Sequence, residues 1–172
     1  MAELERLSVE SYQLTARKSL VLILDNIRSG LNVGSIFRSA DAFGVKKIFC
    51  CGITSIPTHR EVLKSALGST ETVLWEHSND SISLIHQLKG EGYQIIGIEQ
   101  VQSSISLNDY HWDGITPIAL VFGNEVEGIS DEVLNLCDTV LEITQVGTKH
   151  SINVAVCAGI TLYHLAESGE TG

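Results

Sequence analysis

The chain has 172 residues, 44% of them hydrophobic, enough for one core of ordinary size and suited to a single domain. No apolar run reaches the roughly 18–20 residues of a membrane span, and the opening "MAELERLSVE" has no apolar stretch of the signal-peptide kind. The net charge of −10 excludes a uniformly basic nucleic-acid binder, but the charge is unevenly spread: residues 1–64 hold nine Lys/Arg against six Asp/Glu, and residues 65–172 hold two against fifteen. An anionic partner would therefore meet the N-terminal third.

Residues 1–18 read as an N-terminal extension and 19–172 as one domain. Candidate strands fall at 19–25, 46–52, 71–76, 93–99, 117–123 and 139–144, each a continuous apolar run such as "SLVLILD" or "PIALVFG". Continuous rather than alternating hydrophobicity suits strands buried on both faces. Helical patterns lie between and after them, near 33–43, 59–66, 81–90, 130–137 and 152–166. That alternation predicts an α/β fold with a mostly parallel sheet of about six strands and helices on both faces. Ligands of such sheets bind beyond the C-terminal ends of the strands, so the post-strand segments are where chemistry is to be sought. Cys50, Cys51, Cys137 and Cys157 form no C-x-x-C pair and read as buried free thiols of a cytosolic protein. The six histidines are scattered, and no metal site is expected.

Three post-strand segments stand out. In "DNIRSGLNVGSIFRS" (25–39), Val33, Ile36, Phe37 and Ala40 mark the buried face of a helix, with Asn32 as its N-cap and Gly44 as its stop. Gly34 permits another backbone or a substrate to come close. Arg38 either pairs with Asp41 on a solvated face or reaches toward a ligand. In "LVFGNEVEGIS" (120–130), Gly123 and Gly128 bracket Asn124, Glu125 and Glu127 in a sharp turn, which serves equally a plain strand-to-helix connection and a loop wrapping a flat ligand. G-x-G-x-x-G is absent, so this is no dinucleotide fingerprint. In "EITQVGTKHSINVAVCAG" (142–159), Ser151 reads as an N-cap. Asn153, polar in the first turn of an apolar helix, has no such structural explanation.

In order and content these segments resemble the SpoU or TrmH family of RNA ribose methyltransferases, within the SPOUT superfamily. The first carries N-x-G-x-x-x-R, the second G-x-E-x-x-G, and the third Ser-Ile-Asn-Val where the family has Ser-Leu-Asn-Val. Thr144 stands where the family usually has Pro. The resemblance spans roughly residues 19–166. It implies a C-terminal deep trefoil knot, a homodimer with sites near the subunit interface, and methyl transfer from S-adenosylmethionine (SAM) to a ribose 2′-hydroxyl of tRNA or rRNA. It also implies Arg38 as the catalytic arginine within a polar frame of Asn32, Glu125, Ser151 and Asn153. Gly123, Ile143 and Ile152 would hold the cofactor, largely through main-chain groups. Arg28, Arg60 and Lys64 are the candidate phosphate contacts. A compact catalytic domain without appendages leans toward tRNA over rRNA, in the cytoplasm. The competing expectations are an RNA-binding module of the same fold without catalysis and an unrelated nucleotide-binding α/β protein.

Overall fold

The computed structural model describes residues 19–149 and 151–168; the extension expected at 1–18 lies outside the described residues. The elements follow in the order β1 (Leu20–Asp25), α1 (Gly30–Ala42), β2 (Lys47–Cys51), α2 (Arg60–Ala66), β3 (Leu74–Ser78), α3 (Ser81–Gly90), β4 (Gln94–Ile98), β5 (Ile105–Ser106), β6 (Ile118–Phe122), α4 (Asp131–Leu134), β7 (Thr139–Glu142) and α5 (Val154–Ser168). Short 3-10 turns occupy Ser69–Glu71 and Leu107–Asp109.

Seven strands form one sheet in the order β3-β2-β1-β6-β4-β7-β5, with every pairing parallel. The register aligns Ile48, Leu22, Leu120 and Ile96 in one row across four strands. Leu20, Leu22 and Leu24 point into a core with α1, α2 and α5, while Val21 and Ile23 point into a second core with α3 and α4. Because both faces are covered, the central strands show no polar alternation.

The helix expected at 130–137 is confined to Asp131–Leu134, and four further differences from the sequence reading have identifiable causes. The sheet has seven strands rather than about six, the extra one being two-residue β5, which pairs with β7 at the sheet edge and is tied there by Ser104 Oγ donating to Glu142 at 2.9 Å. β3 begins at Leu74 rather than Glu71, because the chain first completes the 3-10 turn, Glu71 N–H bonding Gly68 O at 3.0 Å. The N-cap of α1 is Ser29, not Asn32: Ser29 Oγ accepts from Asn32 N–H at 3.2 Å. Asn153, not Ser151, caps α5, its Oδ1 accepting from Ala155 N–H at 2.8 Å and Val156 N–H at 3.3 Å.

The order of the sheet reverses at β1. The chain runs outward through β2 and β3, then returns to build the other half beyond β6. A crevice opens at such a reversal, beyond the strands' C-terminal ends, and the three polar segments all leave the sheet on that side.

Candidate active site

A cavity of about 660 Å³ lies beyond the C-terminal ends of β4, β6 and β7, a size usual for small-molecule sites. Ile98, Phe122, Ile143, Ile152 and Val154 supply its apolar walls, and Gly123 and the 124–129 turn one side. Asn32, Glu125, Ser151 and Asn153 also line it. The folded chain thus brings together all the residues proposed for cofactor binding and four of the five proposed for catalysis.

Their arrangement is specific. The Glu125 carboxylate accepts from Arg28 N–H at 2.8 Å, Ser29 N–H at 3.0 Å and Asn32 Nδ2 at 3.1 Å, tying the turn after β6 to the start of α1. Burial alone would raise its pKa, but those hydrogen bonds outweigh it and hold the carboxyl below the ordinary value. A carboxylate only accepts, so Asn32 must turn its amide nitrogen toward Glu125 and its oxygen outward. That oxygen accepts from Asn153 Nδ2 at 3.0 Å. One polar chain, Asn153–Asn32–Glu125, therefore links segments more than 90 residues apart in sequence. Asn153 caps α5 and orients Asn32 at once, which accounts for a polar residue entering an apolar helix.

The turn itself is held from several sides. Asn124 Nδ2 donates to Asn26 O at 2.8 Å, while Asn124 Oδ1 accepts from Val126 N–H at 2.9 Å and Glu127 N–H at 3.0 Å. A Cβ on Gly123 would lie 2.4 Å from the Gly128 carbonyl carbon, so glycine there is what closes the turn. Gly128 has φ +70°, and a Cβ on it would lie 2.4 Å from Glu99 Oε2. The Glu99 carboxylate accepts from Ile129 N–H and Gln100 N–H, both at 3.0 Å. Sequence reasoning missed Glu99 and Asn124 as bracing residues. Asn124 lay inside a recognised motif, whereas Glu99, ending an apolar strand, carried no local signal.

Gly34 serves another backbone rather than a substrate. A Cβ there would meet Val62 O at 2.3 Å and Ala66 N at 2.9 Å, so it lets α1 and α2 touch main chain to main chain. Arg38 is exposed on α1, lies outside the lining of the cavity and belongs to neither ion pair found among the described residues. It shares the solvent face of α1 with Leu31, seven positions earlier. Arg28, Arg60 and Lys64 are exposed as well. α2 begins beside the start of α1, where a Cβ on Gly30 would lie 2.9 Å from Glu61 Cβ.

The charge of the cavity is one-sided. Glu99, Glu125, Glu127, Asp131 and Glu142 line it, with no Lys or Arg among its described lining residues. An apolar slot with carboxylates around it is chemically suited to a flat, partly apolar ligand bearing positive charge. No group of three or more His, Cys, Asp or Glu able to hold a metal ion occurs among the described residues.

Residues 19–163 match the SpoU rRNA Methylase family. A Staphylococcus saprophyticus protein placed in the TrmH family of tRNA/rRNA methyltransferases is 33% identical over 148 residues, covering 86% of this chain, which spans 58% of that protein's length. The tRNA (guanosine(18)-2′-O)-methyltransferase of Aquifex aeolicus is 28% identical over 160 residues, covering 90% of this chain and 72% of that one. Among solved structures, the TrmH/SpoU tRNA modifying enzyme of A. aeolicus superposes with a TM-score of 0.84 at 26% identity, covering 94% of this chain and 82% of the other. The AdoMet-bound rRNA methyltransferase of Sinorhizobium meliloti has the same fold, at a TM-score of 0.82, 24% identity and coverage of 94% and 61%. With most of its length matched and its three polar segments gathered at one cavity, this chain belongs to the SpoU rRNA Methylase family.

Proposed function

We propose that the protein transfers a methyl group from SAM to a ribose 2′-hydroxyl of RNA. The observation that carries this reading is the convergence of the three polar segments on one anionic, partly apolar cavity through the Asn153–Asn32–Glu125 chain. The residues present fit the cofactor: SAM carries a sulfonium and an ammonium, which the five carboxylates suit, and an adenine ring, which the Ile143 and Ile152 walls suit. Gly123, Ile143 and Ile152 would hold it mainly through the main chain. When bound, SAM supplies a methyl group activated by its sulfonium for in-line displacement, a reaction in which alignment matters most. Glu125 fixes the start of α1, and Asn32, Ser151 and Asn153 frame the acceptor ribose. Arg38 positions the adjoining phosphate and stabilises the developing alkoxide.

Arg38 lies away from the cavity of its own chain, and that favours a dimeric active site. Val156, Ile160 and Tyr163, spaced i, i+4 and i+7, leave an exposed apolar stripe on α5, at 53%, 41% and 56% exposure. A second copy packed over that stripe and the Leu31 face of α1 would set the Arg38 of one subunit beside the cavity of the other. The resemblance adds a knotted C-terminal segment to the proposal; the unpaired cysteines add a cytoplasmic location, and the basic N-terminal third adds Arg28, Arg60 and Lys64 on the phosphates of the RNA, with tRNA favoured over rRNA. Calorimetric titration with SAM, followed by transfer of labelled methyl into bulk tRNA and ribosomal RNA, tests the reading. Arg38→Ala is expected to bind SAM normally and to transfer no label. If the unaltered chain binds neither SAM nor RNA, the proposal fails; if it binds RNA but not SAM, the non-catalytic module takes its place.

A further inference from the structure

α2 presents two faces of opposite character. Val62 and Ala66 are buried, Ser65 Oγ donates to Leu31 O at 2.9 Å, and Glu61 packs beside Gly30, so one side of the helix is fully used against α1. The other side is a single outward stripe of Arg60, Leu63, Lys64 and Leu67, spaced i, i+3, i+4 and i+7, all exposed. Leu63 is 49% and Leu67 70% exposed. Leu67 also has φ +49° and ψ +44°, the left-handed conformation at the end of the helix. Helices end this way on glycine or asparagine, since a Cβ clashes there with the neighbouring carbonyl. The chain does have a glycine at the next position, Gly68. Packing does not account for leucine at 67, and the backbone conformation opposes it.

We infer that this stripe is an RNA-docking ridge, with Arg60 and Lys64 on phosphates and Leu63 and Leu67 against the faces of unstacked bases. The inference rests on the RNA reading above and adds the non-ionic contacts to it. Charge identifies the occupant: nine of the eleven Lys/Arg lie in residues 1–64, whereas the rest of the chain is strongly acidic and would repel a polyanion. The ridge also starts beside the start of α1, where Glu125 and Asn32 meet, so RNA lying along it leads to the candidate site. Leucine has no affinity for phosphate. What Leu63 and Leu67 meet must be base or ribose surface, and bases are open to apolar side chains in loops rather than in A-form duplex.

The experiment is filter binding of the full chain to bulk tRNA, to a synthetic hairpin with a large loop and to a blunt duplex of equal length, alongside thermal unfolding. Leu67→Gly is expected to leave Tm unchanged or raise it, since it relieves the backbone. It should weaken binding to tRNA and hairpin about five- to tenfold, a loss of the order of one stacking contact, while the duplex binds as before. Leu63→Ala should do the same to the RNA without the gain in Tm. Lys64→Gln should weaken all three RNAs and reduce the slope of log K against log salt by about 1. A fall in Tm with Leu67→Gly would make the leucine structural and overturn the inference. So would unchanged RNA affinity, or conversion of a dimer to monomer, which would give the face to a second copy. If the unaltered chain binds no RNA, the enzymatic reading falls too; if it binds RNA and only the leucine variants are silent, the ridge alone is refuted.

Discussion

Glu125 is the residue whose loss has the most calculable effect. Replacing it with alanine removes three hydrogen bonds, from Arg28 N–H, Ser29 N–H and Asn32 Nδ2, at 2.8, 3.0 and 3.1 Å. Hydrogen bonds to an ionised acceptor contribute about 1.5–3 kcal/mol each when dry. The carboxylate is only partly buried, so water recovers much of that, leaving about 2–3 kcal/mol for Glu125→Ala. In a chain of this size that loss corresponds to a fall in Tm of about 5–10 °C. Glu125→Gln keeps one acceptor oxygen but turns an amide N–H₂ toward a backbone N–H, at a cost of about 1–2 kcal/mol. The Glu125 pKa is lowered by folding, so its stabilisation is fully present above the unfolded value of about 4.3 and is lost as the pH falls through the lower folded value. Urea unfolding of the unaltered chain and Glu125→Gln between pH 7 and pH 3 should therefore show a stability gap that is constant down to about pH 5 and closes below it. A gap that keeps its full size at the acid end would refute the reasoning, since the ionised carboxylate would then not be what ties the turn to α1.

Other consequences follow from the same geometry. Gly34→Ala should destabilise the chain by about 2–4 kcal/mol in urea unfolding, because the Cβ would meet the α2 main chain; a loss under about 0.5 kcal/mol would show that the helices separate freely. Asn153→Asp retains the cap of α5 but sets an acceptor against Asn32 Oδ1. It should hold Tm within a few degrees while methyl transfer falls more than tenfold; equal losses in both would reduce Asn153 to a cap. Burial pushes the Cys50 and Cys51 thiols up to about 12 and those of Cys137 and Cys157 to about 11. Iodoacetamide at pH 8, read by peptide mass spectrometry, should label Cys137 and Cys157 slowly and Cys50 and Cys51 more slowly still. Cys157 lines the cavity, so SAM should slow its labelling and leave that of Cys137 alone. Protection of Cys137 instead would move the cofactor elsewhere.

Much of this architecture is legible in residues 19–123 because the strands are buried on both faces and so appear as unbroken apolar runs, "SLVLILD" and "PIALVFG" among them. β5 was invisible for the opposite reason: two residues between serines and a polar turn carry no periodicity, and only the edge of β7 makes them a strand. The capping roles were misread locally. Ser29 and Ser151 are equally good caps as residue types, and what decides between the candidates is where the chain enters the helix. At α1 that leaves Asn32 inside the first turn with its amide free for Glu125, and at α5 it moves the cap to Asn153. The three polar segments could be named from sequence, and the resemblance grouped them, but their coupling could not be read. Glu125 reaches back across nearly 100 positions to α1, and nothing in "GNEVEG" itself points to a helix start.

The central claim, that this family member methylates ribose, is tested most directly by nucleoside analysis. RNA incubated with the protein and methyl-labelled SAM is digested to nucleosides, and the label is located by mass spectrometry, with Arg38→Ala as the control. Label as 2′-O-methylnucleoside, absent with Arg38→Ala, is the predicted result. Label on a base, or ribose label undiminished in the variant, would contradict the account.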